Sequence, residues 1–144
     1  MFNKVSTLSE RIAIYRKEHF NAAHRLHNPA LSAEENQRLF GKCNNPNFHG
    51  HNYELIVKVT GRVDEVTGYV IDTKQLSDIV RTHITDAMDH KNLNLDVPVL
   101  QGINPTTENV AIAIYNVLRP LIDARLELKI FLYETERNYV EYPA

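Results

Sequence analysis

The stretch KCNNPNFHGHNY, residues 42–53, holds Cys43, the single cysteine of the chain, and places His49 and His51 on either side of one glycine. Thiols and imidazoles are the side chains that bind divalent metals and move protons near neutral pH. If these histidines open a β-strand, a spacing of two puts both on one face, because side chains alternate along a strand. Two imidazoles on one face can grip a divalent ion, and a third ligand then has to come from a neighbouring strand. His24 ends an earlier strand-like segment, and antiparallel pairing would carry it to the start of the second. Three histidines leave one zinc position open, the arrangement of catalytic sites rather than structural ones. Three neutral imidazoles also leave the ion strongly Lewis acidic. Gly50 reads as room for another group to approach the backbone.

Each feature also has a plainer reading. Most His-x-His pairs are solvated strand residues, and His19, His27 and His83 show that histidines are plentiful here. His83 reads as a helix-face residue; His19 and His27 have no assigned role. A free cysteine is usually a small buried hydrophobe, but Cys43 lies in a polar loop. A nearby metal or imidazolium there would favour the thiolate as base or nucleophile. Asp89 and His90, in MDHKNLN, could pair as a carboxylate–imidazole relay. On spacing alone they read better as a helix end whose His and Lys complement the dipole.

The elements that must position these groups follow from periodicity. RIAIYRKEHFNAAH (11–24) alternates as a strand does. Residues 28–47 are polar and rich in Asn and Pro, which predicts a long loop with one short helical turn at Ala33–Phe40. HNYELIVKVTGRV (51–63) is a second strand, with Tyr53, Leu55, Val57 and Val59 on one face, and YVID (69–72) briefly resumes it. Asp72 and Gln75 suggest a capping box opening a helix whose stripe is Leu76, Ile79, Val80, Ile84 and Ala87. Thr106 can cap a second helix with Val110, Ala113, Ile114, Val117 and Leu118 buried, stopped at Pro120. Strands at 126–135 and 138–143 close the chain. The order β-β-α-α-β-β is an α+β plan, a four-stranded antiparallel sheet with two helices on one face. Its two open edges call for pairing with other chains.

The whole chain sets the frame. Its 144 residues suit one domain, 1–144, long enough to bury a core. A formal net charge of −2 offers no nucleic-acid-binding surface. No apolar run nears the ~20 residues that span a bilayer, and MFNKVSTLSERIAIYRKEHF is too polar for a signal peptide. A lone cysteine points to the cytosol, where thiols stay reduced.

Taken together, FNAAHRL (20–26), CNNPNFHGHNY (43–53), MDHKNLN (88–94), NPTTEN (104–109) and YET (133–135) resemble the 6-pyruvoyl-tetrahydropterin synthases and their bacterial relatives, the 6-carboxytetrahydropterin synthases. The resemblance spans the chain from about Ile12 to Val140. It implies the tunnelling fold, in which trimers close a barrel and two trimers stack into a homohexamer. It implies Zn2+ held by His24, His49 and His51. It also implies Cys43 as the catalytic thiol, Asp89 and His90 as the pair that works with it, and Glu134 as the carboxylate that anchors the pterin ring. Thr106 and Thr107 would line the pterin pocket. Phe48 departs from relatives that have glycine or leucine there, with an expected effect on packing near the zinc; the chain also ends at Pro143–Ala144, where many relatives extend further.

The implied substrate is 7,8-dihydroneopterin triphosphate. The pyruvoyl branch eliminates triphosphate and keeps the three-carbon side chain. The carboxy branch also cleaves that chain, releasing acetaldehyde on the route to queuosine and other deazapurines. Five residues separate Cys43 from His49, and this longer loop resembles the pyruvoyl type. Two readings from other classes are a three-histidine zinc hydrolase, in which Cys43 and Glu134 are incidental, and a non-enzymatic tunnelling-fold subunit. Arg25 and Lys42 are both conceivable phosphate contacts, and spacing does not choose between them.

Overall fold

The structure, a computed structural model, describes residues 10–144. The first nine residues of the expected 1–144 domain, and with them the start of the stretch read as too polar for a signal peptide, lie outside the described residues.

Two long strands form the spine. β1 (Arg11–His24) and β2 (His49–Arg62) pair antiparallel along their whole length, from Arg11 opposite Arg62 to His24 opposite His49. β3 (Lys91–Asn92), β4 (Glu127–Tyr133) and β5 (Tyr139–Tyr142) complete a five-stranded sheet in the order β3-β1-β2-β4-β5. The expected four strands are all there. The fifth, β3, is a two-residue strand that pairs parallel with β1 at Ala22 and Ala23, so the sheet is mixed. Two residues are too few to show any period, and MDHKNLN therefore read as a helix end. YVID forms no strand: it leads directly into a helix.

Among the described residues three α-helices accompany the sheet. α1 (Ala33–Phe40) is a full helix in what read as a loop with one turn. Its capping box joins Ser32 and Glu35, a polar signal without an apolar stripe behind it. α2 starts as Thr73–Val80, passes through a π-turn at Arg81–Thr85 and ends at Asp86–Met88. Asp72 caps it through the Lys74 amide, without the reciprocal bond from Gln75. The π-turn holds an extra residue in one turn, so Met88 is buried and Ala87 exposed, the reverse of the helical expectation. α3 (Thr107–Leu118) is capped by Thr106 as expected, its side chain accepting from the Asn109 amide.

The core lies between one sheet face and the helices. Phe20, Tyr53, Leu55, Val57 and Val59 meet Leu76, Val80, Ile84, Val110, Ile114 and Leu118, all at 1% exposure or less. At ~25 cal/mol per Å2 such burial is the main stabilising term. Odd-numbered residues of β1 and even-numbered residues of β2 face away from it, giving a polar open face that includes Tyr15, Lys17, Glu54 and Lys58. Among the described residues no helix is long and apolar enough to cross a membrane.

Candidate metal centre and its two cavities

The last turn of core at the His24–His49 end of the sheet is polar. His24, on the core face of β1, stands opposite His49 on β2, and His51 follows two residues on. Their ring centroids are 4.6, 5.1 and 5.0 Å apart. The strand register thus brings the three histidines together as their spacing predicts. Gly50 is not needed for close approach, since a Cβ there would meet Ala22 O at an ordinary 3.4 Å.

Ring orientation follows from hydrogen bonding. His24 Nδ1 lies 2.8 Å from Pro105 O, an obligate acceptor, so Nδ1 carries the proton and Nε2 is bare. His24 Nε2, His49 Nδ1 and His51 Nε2 are all shut off from solvent, and none makes a hydrogen bond. Buried, unpaired polar atoms of this kind are costly. Glu134 completes the group: its Oε1 is 2.8 Å from His51 Nε2 and 3.8 Å from His24 Nε2, the shorter a contact without hydrogen-bond geometry. One ligand atom from each of the four residues lies within 4.8 Å of the others. Burial holds both His24 and His49 below the ordinary imidazole range, and neighbouring imidazoles add to the effect. Buried imidazole nitrogens without hydrogen-bond partners, converging on one point beside a carboxylate, are what a divalent cation requires, so these residues fit a metal. Tyr53, which packs beneath His24 and His51, has its hydroxyl pushed up, first by burial and then by Glu134.

Cys43 lies on a 3-10 turn, Gly41–Asn44. It shares with His49 and His51 the wall of an open cavity of about 740 Å3. What holds it there was not read from the sequence. Leu26 N donates to Cys43 O (2.8 Å) and Arg25 Nε to Asn44 O (2.8 Å). Asn44, 7% exposed, donates from Nδ2 to Leu26 O and to His27 Nδ1. His27 Nδ1 is therefore the unprotonated nitrogen of its ring. Asn94 braces the backbone of Arg25, and Asn104 accepts from His27 N. The asparagines of CNNPN, NLN and INP were the available signal: amide side chains both donate and accept, which suits them to tying loops together.

Glu134 sits just beyond β4, and Thr107 Oγ1 donates to its Oε2. With Thr106 and Thr107 it lines a second cavity of about 540 Å3. Asp89 and His90 stand apart. Asp89 Oδ2 is 2.8 Å from His90 Nδ1, and its Oδ1 accepts from Asn21 N (2.8 Å). Asn21 O in turn accepts from His90 N (2.7 Å). The pairing exists, at the β3 edge of the sheet. No hydrogen bond or ion pair joins it to Cys43 or the three histidines among the described residues.

Among the described residues two that are not glycine take left-handed backbone: His90 (φ 59°) and Phe48 (φ 67°). The consequence of Phe48 is thus backbone strain of about 1 kcal/mol just before a candidate ligand, where glycine would carry none.

A mixed sheet backed by helices, with three imidazoles and a carboxylate converging at its end beside a thiol, is an α+β protein whose site fits a metal ion. Comparison with known proteins names the family. The sequence pattern of the 6-pyruvoyl tetrahydropterin synthase family matches residues 13–144. The 6-pyruvoyl tetrahydrobiopterin synthase of Homo sapiens is 44% identical over 129 residues, covering 90% of this chain and 89% of that one. The Dictyostelium discoideum protein of the same name is 44% identical over 136 residues, 94% and 98% of the two chains. The structure of Caenorhabditis elegans 6-pyruvoyl tetrahydropterin synthase superposes with a TM-score of 0.87 at 39% identity, covering 94% of this chain and 96% of that one. The chain belongs to the 6-pyruvoyl tetrahydropterin synthase family.

Proposed function

We propose that the whole chain works as one synthase domain, a lyase that converts 7,8-dihydroneopterin triphosphate to 6-pyruvoyl-tetrahydropterin with elimination of triphosphate. The observation that carries this reading is the shared cavity wall of Cys43, His49 and His51, in a family whose relatives bear that activity in their names. His24, His49 and His51 would hold the metal, and three nitrogen ligands with an open position suit Zn2+. When bound, such an ion supplies Lewis acidity toward oxygen groups, which makes a neighbouring C–H easier to deprotonate.

The chain's own groups divide the rest. Glu134, braced by Thr107 and beside Thr106, accepts hydrogen bonds from the 2-amino and N3–H groups of the pterin ring. Cys43 as thiolate removes the side-chain proton, and His90, steered by Asp89, serves the next proton transfer. The ring takes up the reducing equivalents through an internal redox shift, and triphosphate leaves by elimination. Within one chain Asp89 and His90 make no bond to Cys43. Together with the open edges at β3 and β5, this supports a homohexamer of two trimers in which neighbouring chains complete each site. The lone, unpaired Cys43 supports a cytoplasmic location.

Mass spectrometry after incubation with dihydroneopterin triphosphate tests the reaction. Free triphosphate and a pterin that keeps its three side-chain carbons are expected. Acetaldehyde release would assign the 6-carboxytetrahydropterin route instead, and hydrolysis without any change to the pterin side chain would mark a simple zinc hydrolase. A stable monomer by light scattering at micromolar concentration would overturn the hexamer.

A further inference from the structure

The metal centre separates two cavities of opposite electrostatic character, and this decides where a polyanion can lie. The cavity beyond Glu134 also has Glu108 on its wall, two carboxylates against the single guanidinium of Arg137. It suits a neutral ring rich in N–H donors and repels a triphosphate. The cavity on the Cys43 side has no carboxylate on its wall, and Lys42 is its one permanent charge. Among the described residues Lys42 has no ion pair and no side-chain hydrogen bond. Gln37 and Asn45 share that wall. Asn45 Oδ1 is occupied by the Asn47 amide, which leaves the Nδ2 hydrogens uncommitted.

The centre itself joins the two spaces. Glu134 belongs to the carboxylate-lined cavity and touches His51, which belongs to the other. A substrate with its ring on Glu134 and its carbon side chain at the histidines therefore continues past Cys43 into the Lys42 cavity. Arg25, the other candidate phosphate contact, lines neither cavity, and its Nε donates to Asn44 O.

We propose that the Cys43-side cavity is the triphosphate subsite, with Lys42 as its cation and the Gln37 and Asn45 amides as neutral donors. This rests on the synthase reading. It also makes Lys42 a specificity residue: it separates phosphorylated from unphosphorylated pterins through the charge of the leaving group, one side chain away from the thiol. An ammonium facing a polyanion with no competing carboxylate gives a charge-assisted bond that salt weakens.

The test uses the full-length, metal-loaded protein and two separate probes in calorimetry, inorganic triphosphate and 7,8-dihydroneopterin. Lys42→Gln should weaken inorganic triphosphate about tenfold or more and leave dihydroneopterin affinity and metal content unchanged. Lys42→Arg should recover most of the loss, and Arg38→Gln, an exposed cation outside both cavities, should change nothing. Unchanged triphosphate affinity in Lys42→Gln overturns the subsite. So does a loss caused by Arg137→Gln instead. The two readings fail separately: a wild type that binds triphosphate through Lys42 but not dihydroneopterin keeps the anion site and sinks the synthase reading. One that binds dihydroneopterin but ignores Lys42 does the reverse.

Discussion

Glu134 Oε1 lies 2.8 Å from His51 Nε2 while Thr107 Oγ1 holds Oε2 of the same carboxylate. One side chain thus touches the histidine cluster and lines the second cavity. The contact with His51 is not a hydrogen bond; among the described residues Thr107 makes the one side-chain hydrogen bond to the carboxylate, on Oε2, and Oε1 is left to accept from a donor-bearing ring. Glu134→Gln replaces a two-oxygen acceptor by one acceptor and one donor. Pterin affinity should fall about tenfold or more, with metal content unchanged. Loss of metal in that variant, with pterin affinity intact, would make Glu134 a fourth ligand and not the ring anchor.

His49→Ala removes one of the three converging nitrogens and should strip the metal while leaving a folded oligomer, because His49 is only part-buried at the start of β2. Metal analysis and size-exclusion chromatography check this together. Full zinc occupancy in the variant would remove His49 from the ligand set. Chelation of the wild type should lower its Tm, since an ion bound only by the folded state stabilises it.

Acid should destabilise the metal-free protein in a defined window. His24 and His49 are held, chiefly by burial, below the ordinary imidazole value of 6.5. Between their folded values and 6.5 the unfolded chain binds more protons than the folded one, so stability rises with pH through that window. The contribution is complete above about 6.5 and is lost as pH falls below it. Thermal melts of the chelated protein from pH 8 down to pH 5 should show this fall, and a His24→Gln/His49→Gln double variant should flatten it. A wild-type Tm that stays level across the window would contradict the buried, neutral imidazoles.

Cys43→Ala should retain metal and pterin binding and lose turnover by roughly 10²–10⁴, the contribution of a positioned base. Cys43→Ser should recover little, because a hydroxyl stays protonated at neutral pH. Single-turnover release of triphosphate measures all three proteins. Near wild-type rates in Cys43→Ala would transfer the proton abstraction to another group.

Asn44→Ala should act on the same step from one residue away. It frees Leu26 O and His27 Nδ1 of their donor and loosens the turn that carries Cys43. A stability loss of about 1–3 kcal/mol is expected for the unpaired buried groups. The sharper readout is kcat falling with KM for the pterin unchanged, because a small displacement of a catalytic group costs rate more than binding. A rise in KM at constant kcat would make Asn44 part of the binding wall.

The local pattern of this sequence determined a good deal. Alternation marked β1 and β2 to within two residues, and the spacing of His49 and His51 placed both on one face. Thr106 announced its helix through an ordinary cap. Such features depend on neighbours in the chain, so periodicity carries them. Tertiary structure decided the rest. β3 exists only because β1 offers it an edge, and its two residues have no period to read. Met88 replaced Ala87 in the core because a π-turn advanced the helix by one residue, a shift that packing makes and composition does not announce. The proton on His24 Nδ1 was settled by the carbonyl of Pro105, 81 positions away. Arg25 and Lys42 look alike as cations in sequence. They parted only when folding tied Arg25 Nε to the Asn44 carbonyl, outside both cavities, and left Lys42 on the wall of an acid-free cavity beside Cys43.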